Sequence, residues 1–497
     1  MEGISKLQHA RALRRMLWTS ALGGMYGPLG TFGSTIYTGL ALYLGLSASQ
    51  IAFLSTITAA AGTAYLVSHL ITSRVRRQKG YLITSGVVEV VLGCLPPLVP
   101  LVLSGSGARF AALGSIVLIA TLLANIKGPL YSSWQSLFLP DDIRPRFMSR
   151  QSIIATVTSM AMAFAAGQFV DRTGRGYASF AIPYLFAAVV GITIYLVQTG
   201  MPFQKALQAE ERVPIGRSLL APLASRPFRY FLLFNLSLAF GDNIFAPFYG
   251  VFILQEIKET YSYIALLGVI GAPLTIASLW FFGIAVERLG GKPVVRLMLG
   301  LRVIYEGMLL FLTTANYPWL HTASTVIASL SGPGLSIAVA TIMYSVMPAT
   351  SERSSFFATW AIAHSALAII VTAIVAVIAQ RIAGFSVAVA GLSISYLKLF
   401  ILAKILLIGV SMVLLRRGAL GHPAGQSGPG ARTVAEPARG PDPREGDGRF
   451  RPRRADPGHP RSGRLGIPGG GGAAHAAARR RQIGAAGRGC QLPGPHT

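Results

Sequence analysis

The sequence predicts an all-α integral membrane protein. Twelve transmembrane helices form two pseudo-symmetric six-helix halves, followed by a disordered C-terminal tail. Three observations carry this reading. Charged residues make up only 12% of the 497 residues and apolar residues 52%, whereas soluble domains carry about 25% charged residues. Apolar runs of about 20 residues, long enough to span a bilayer, recur up to residue 416. The two parts of that region also repeat each other weakly. The predicted organisation is a first half over 1–199, a cytoplasmic linker over 200–228, a second half over 229–416 and a basic Gly/Pro/Arg/Ala tail over 417–497.

Each span follows from its run. A basic start (Lys6, Arg11, Arg14, Arg15) leads into the first span, about 16–45, whose glycines in GGMYGPLGTFG permit close helix contact and bending at Pro28. The second covers about 48–72, and Arg74, Arg76, Arg77 and Lys79 follow it. The third to sixth cover about 81–103, 110–139, 151–170 and 177–199. The stretch 200–228 is polar, with prolines at 214, 222 and 227, and reads as a linker with room for a short interfacial helix. The remaining spans cover about 230–255, 262–285, 293–314, 318–347, 356–379 and 396–415. The run after Arg14 and Arg15 is too long for a cleavable signal peptide.

The net charge of +26 raises a nucleic-acid partner, but its distribution argues against one. The basic residues sit in short loops and the tail and form no aromatic-interleaved face. Twenty Lys and Arg fall in loops on one predicted side and six on the other. That asymmetry places both termini in the cytoplasm and the protein in the inner membrane. Two cysteines, Cys94 in a span and Cys490 in the tail, suggest neither a disulfide framework nor a metal site.

The repeat appears on shifting the first half. A shift of 214 places Arg74 on Arg288, and one of 213 places Lys79 on Lys292 and Glu89 on Arg302. KGPLYSSWQSLFLP (Lys127 to Pro140) matches SGPGLSIAVATIMYSVMP (Ser331 to Pro348) in its Gly-Pro and closing proline. From residue 421 onward, Gly, Pro, Arg and Ala supply 54 of 77 residues. Such a segment cannot bury a core. It is either a basic tail touching anionic lipid or, since GC-rich codons favour these four residues, a frameshift product.

Ionisable groups inside spans are costly and mark function: Glu89, Lys127, Asp242, Arg302, Glu306, His364 and Lys404. Asp242, followed by Asn243, is a substrate contact, a proton-coupling carboxylate, or a structural group bonded to a neighbouring helix. Lys127, two residues after Asn125, binds an anionic group, pairs with Asp242, or snorkels to the surface. Arg302 and Glu306 share one helix face at a spacing of four and read as a structural pair. His364 either relays protons or merely hydrogen-bonds. Lys404 receives no role. No catalytic motif, P-loop or metal-binding cluster stands at a convincing place, so no catalysis, metal or cofactor is expected.

The stretch GIAVERLGGK carries Gly283, Glu287, Arg288, Gly291 and Lys292. It resembles the loop between the eighth and ninth spans of the major facilitator superfamily, with the pattern G-x-x-x-[DE]-R-x-G-[RK]-[RK]. SSWQSLFLPDDIRPRFMSR and GQFVDRTG (Gly167 to Gly174) resemble further elements of bacterial members. The first-half copy of the loop departs from the pattern, with His69 and Ser73 in place of glycine and acid, and the fifth span lacks the glycine-proline motif of drug-proton antiporters. The resemblance covers about residues 10–416. It implies that spans one, four, seven and ten line a central cavity. It also implies that Glu287 meets the start of the fifth span near Ser149 to Ser152, with Arg146 or Arg150 adding an ion pair, to close an inner gate. The implied function is a secondary active transporter moving a small organic solute by alternating access, driven by protons or by a solute gradient. Lipid, solute and protons are its expected partners, and it is expected to be a monomer. The alternatives are a non-transporting membrane sensor or assembly factor, and a membrane enzyme acting on lipid.

Overall fold

The computed structural model describes residues 6–72, 74–75, 77–136, 144–203, 221–347, 353–389 and 392–417. The helices are α1 (Lys6–Gly30), α2 (Thr35–Tyr43), α3 (Ala48–Gly62), α4 (Ala64–Thr72), α5 (Gln78–Cys94), α6 (Val99–Val102), α7 (Ser106–Ser136), α8 (Arg144–Arg172) and α9 (Tyr177–Thr199). They continue with α10 (Arg226–Val251), α11 (Tyr261–Leu289), α12 (Gly291–Leu310), α13 (Tyr317–Val346), α14 (Arg353–Arg381) and α15 (Tyr396–Arg417). Among the described residues, eight helices are long and apolar enough to cross a membrane, or nine if the bent α5–α6 pair is one span.

The remaining expected spans are interrupted or charged, for local reasons. The first breaks between α1 and α2, where Gly33 takes φ +85° and Ser34 starts a new helix by accepting from the Tyr37 amide at 3.1 Å. The second opens with a capping box, Ser47 and Gln50 bonding each other's backbone, and breaks at Thr63. The third bends by 41° at Pro96. The ninth, α12, is regular but carries Lys292, Arg296, Arg302 and Glu306. An unexpected antiparallel hairpin, β1 (Ser386–Val389) and β2 (Leu392–Ser395), pairs Ser386 with Ser395 and Val389 with Leu392 and leads straight into α15. The linker over 204–220 and the tail from 418 lie outside the described residues, as do Ser73 and Arg76; of His69 only the backbone is described.

Packing runs mainly among neighbours. Before residue 203, α1 packs on α8 and α9, α5 on α7 and α9, and α7 on α3 and α4. After residue 221, α10 packs on α14 and α15, α12 on α13 and α15, and α11 on α13. Contacts between the two sets run through α8 with α11, α3 with α14, and α10 with α2 and α3. α10 supplies a ladder of buried rings, among them Phe228, Phe231, Phe234, Phe245 and Phe248, to two of the apolar cores.

Where helices cross closely, small residues make room. A Cβ on Gly86 of α5 would meet the Tyr195 ring of α9, and one on Gly191 of α9 would come within 2.6 Å of Val90. Gly191→Ile is therefore expected to force α5 and α9 apart and to destabilise the fold by about 1–3 kcal/mol. Gly300→Ala, at a helical position with nothing nearby to meet a Cβ, is the control. Thermal unfolding of the two purified variants checks this: a lower midpoint for Gly191→Ile alone.

Candidate functional site

A cavity of about 880 Å³ opens between α1, α8 and α11, with α2 at one end. Its described lining carries polar but no charged side chains: Ser20, Ser34, Thr35, Gln151, Thr156 and Ser159 stand among small and apolar residues. Gln151 of α8 donates to Ser20 of α1 at 3.0 Å. A second cleft of about 640 Å³ continues between α8 and α11, from Ser149 and Ser152 to Leu279, and a third of about 520 Å³ lies among α10, α12, α13 and α15.

α8 and α11 part towards the Glu287 end but meet at the Asp171 end. There the Asp171 carboxylate of α8 caps α11. One oxygen accepts from the Ser262 amide at 2.8 Å and its hydroxyl at 2.6 Å, and the other from the Tyr261 amide at 3.3 Å. A carboxylate is stabilised at a helix N-terminus by the unpaired amides and the dipole. Arg175, at φ +58°, holds the same carboxylate at 3.1 Å and lays its guanidinium 5.3 Å from the centre of the Tyr261 ring. Close approach requires Gly167, since a Cβ there would lie 2.8 Å from the Tyr261 backbone.

The expected inner-gate contact is not formed. Glu287 and Arg288 are exposed, and Glu287 has no ion pair or hydrogen bond among the described residues. At this end Ser149 and Ser152 of α8 border the cleft that parts α8 from α11 as far as Leu279. Arg150 is exposed, and the side chain of Arg146 lies outside the described residues. Gly283 stands in open space. Gly290, at φ +81°, turns the chain, and Gly291 lets α12 start close against α13, where a Cβ would lie 3.1 Å from the Ala338 carbonyl. Lys292 sits beside it, half-buried.

The intramembrane charges form two separate neutral groups. Lys127 pairs with Glu89 and donates to Tyr195. It reaches neither Asp242 nor the surface, because Glu89 lies nearer and the site is buried. Asp242 pairs with Arg302 and lies 3.5 Å from Lys404, which also pairs with Glu306. The Arg302–Glu306 pair read from the spacing of four is thus corrected. Each member finds a partner on another helix, α10 for Arg302 and α15 for Glu306. Lys404, given no role by the sequence reading, bridges both acids. Asn125 and Asn243 each donate to their own helix, at 2.8 Å. His364 is fixed between Asn235 at 2.7 Å and the Trp360 carbonyl at 3.1 Å.

One group was missed altogether. Glu259 and His321 are buried and pair at 2.7 Å, and the second ring nitrogen of His321 lies 3.0 Å from the Tyr249 hydroxyl. Glu259 falls between the seventh and eighth spans, so a search confined to spans passes over it. His321 near the start of the tenth span was the available signal.

No family model and no curated relative matches the chain. Solved structures do. A variant of the nucleoside transporter NupG superposes at a TM-score of 0.62 and 12% identity, over 82% of this chain and 99% of that one. A bacterial homologue of the iron transporter ferroportin in the inward-facing state gives 0.60 and 16%, over 83% and 100%. A bacterial homologue of the human lysosomal transporter Spinster, inward-facing and occupied, gives 0.57 and 13%, over 83% and 97%. The chain has the fold of these transporters.

Two predictions follow from the charges. Glu306→Gln leaves Lys404 short of a counter-charge in a buried site and is expected to destabilise by about 3–5 kcal/mol. Adding Lys404→Met should recover much of that loss, since removing both partners is far less harmful than removing one. Thermal unfolding of the single and double variants measures it. Asp171→Asn keeps the shape of the cap but removes its charge. It is expected to loosen the α8–α11 contact, read as faster thiol labelling of a Ser262→Cys reporter in that variant than in the Ser262→Cys protein alone.

Proposed function

We propose that the protein is a secondary transporter that moves a small, uncharged polar solute by alternating access. The observation that carries this is the 880 Å³ cavity between α1, α8 and α11, whose helices touch at the Asp171 end and part at the other. Counting α1–α2, α3–α4, α5–α6 and α12 with the eight uninterrupted apolar helices gives twelve spans in two sets of six, joined by the linker over 200–228. With both termini inside, as the basic loops favour, the Asp171 end faces outward and the state is inward-open. Glu287 would then serve as the opposite latch, seated on the start of α8 when the inner end closes.

The solute class follows from the lining. Hydroxyls and the Gln151 amide can exchange hydrogen bonds with a hydroxyl- or amide-bearing solute. Two charged sets outside this cavity, Glu89 with Lys127 and Asp242, Arg302, Glu306 and Lys404, are neutralised within themselves, and no charged side chain stands among the described residues that line it. Relatives of the same fold move nucleosides or iron; the uncharged lining favours the former kind of chemistry over a metal ion.

The test is counterflow in proteoliposomes with labelled nucleosides, sugars, polyols, organic anions and organic cations. Saturable exchange is expected for an uncharged member, and Gln151→Ala should weaken it several-fold. Exchange confined to charged solutes would overturn the solute class. Absence of exchange across the panel, with a stable protein partner recovered instead, would favour a sensor or assembly factor.

A further inference from the structure

We propose that Glu259, His321 and Tyr249 form a proton-carrying site that links the state of the Asp171 gate to protonation, a proposal that rests on the alternating-access reading above. The three residues come from three elements. Tyr249 is on α10, Glu259 in the turn before α11, and His321 in the second turn of α13. His321 is 1% exposed and Glu259 0%. One Glu259 oxygen meets His321 Nδ1 at 2.7 Å, and the other, although buried, has no hydrogen-bond partner. A buried ionisable cluster with one polar atom unsatisfied is a poor structural device, because an unmade bond to a buried carboxylate is destabilising.

The backbone is bent to put Glu259 there. The last turn of α10 widens into a π-helix over Phe252–Glu256, and Lys258 takes φ +60°, a left-handed conformation unusual for a lysine. The Glu259 amide then bonds back to the Ile253 carbonyl at 3.1 Å. Strain of this kind persists where its surroundings over-determine it and clusters at functional sites.

The array can hold or lack one proton without losing a hydrogen bond. When His321 is neutral, Nδ1–H donates to the Glu259 carboxylate and Nε2 accepts the Tyr249 hydroxyl hydrogen. When His321 is protonated, Nε2–H donates to the Tyr249 oxygen, the hydroxyl turns away, and the pair becomes a neutral His⁺–Glu⁻ couple. The proton comes from cavity water. Tyr249, His321, Glu306 and Lys404 line the 520 Å³ cavity together, and Tyr249 also borders the cleft between α8 and α11. Groups facing the array are Tyr263 on α11, Tyr305 and Glu306 on α12, Tyr317 on α13 and Lys404 on α15. Lys404 and Glu306 neutralise each other, which leaves Glu259 as the uncompensated charge when His321 is neutral.

The link to the gate is through the chain. Glu259 lies two and three residues before Tyr261 and Ser262, whose amides Asp171 holds. Thr260 caps the same helix by accepting from the Tyr263 amide at 3.2 Å, and the Tyr263 hydroxyl ties α11 to Pro318 and Thr322 on α13 at 2.6 Å each. Protonation turns the Glu259–His321 hydrogen bond into an ion pair and therefore tightens the hold on the segment that the gate closes upon. Asp242, the sequence-stated candidate for coupling, lies between Arg302 and Lys404 and has no such route to the gate.

Spin labels test this on the full-length protein in nanodiscs. They are placed at Arg172 on α8 and Trp319 on α13, both exposed at the Asp171 end, after Cys94→Ser and Cys490→Ser. Distance distributions are recorded from about pH 5 to about pH 8, the range over which histidine changes charge. The wild-type populations are expected to shift with a one-proton slope, and His321→Gln and Glu259→Gln should each flatten the response while remaining monodisperse. Tyr249→Phe, which keeps the ring, should move the midpoint and keep the slope. A wild type without a pH response, or variants that keep the wild-type response, would overturn the proposal. The measurement needs no solute, so it stands or falls separately from the counterflow panel. If a solute is found, His321→Gln should keep counterflow and lose proton-driven accumulation, and loss of both would overturn the proton assignment.

Discussion

A carboxylate seated on the first amides of another helix holds one end of this molecule together. Asp171 satisfies two backbone donors of α11 that have no partner within their own helix and adds a bond to the Ser262 hydroxyl. The contact is local, but its effect reaches along the whole helix pair. Two long helices pinned at one end and free at the other can enclose a cavity and still open it. Gly167 matters for the same reason, since the cap forms only if the backbones come close.

The second constraint is the low dielectric of the bilayer interior, which makes an unpaired charge very unfavourable. It explains why the buried ions occur in matched sets. Glu89 with Lys127 on one side, and Asp242, Arg302, Glu306 and Lys404 on the other, each sum to zero. The 880 Å³ cavity has no charged side chain among its described lining residues, which shapes what it can recognise. Glu259 and His321 follow the same rule with one difference: their balance depends on a proton, so a change of protonation is also a change of buried charge.

The apolar runs were readable because hydropathy acts residue by residue. The GIAVERLGGK loop was readable because a tight charged turn needs glycines and charges in a fixed order. Pairing was not readable. The spacing of Arg302 and Glu306 is compatible with a bond along the helix, yet Asp242 and Lys404 on neighbouring helices approach more favourably. The latch was read at Glu287 because that motif is the more distinctive, while the structure closes the end marked by Asp171 in GQFVDRTG. Breaks in the first two spans were equally hidden, since they depend on capping by Ser34 and by Ser47 with Gln50 rather than on any loss of hydropathy.

By itself, then, the sequence determined that this chain lies in a membrane and roughly where its apolar segments begin and end. These properties depend on composition within one window, and the bilayer reads them one segment at a time. Only the tertiary structure decided which charges meet, which end of α8 and α11 is shut, and that Glu259, His321 and Tyr249 share a site. Those outcomes depend on distances between residues as far apart in sequence as Asp242 and Lys404, and a distance of that kind exists only once the helices have packed.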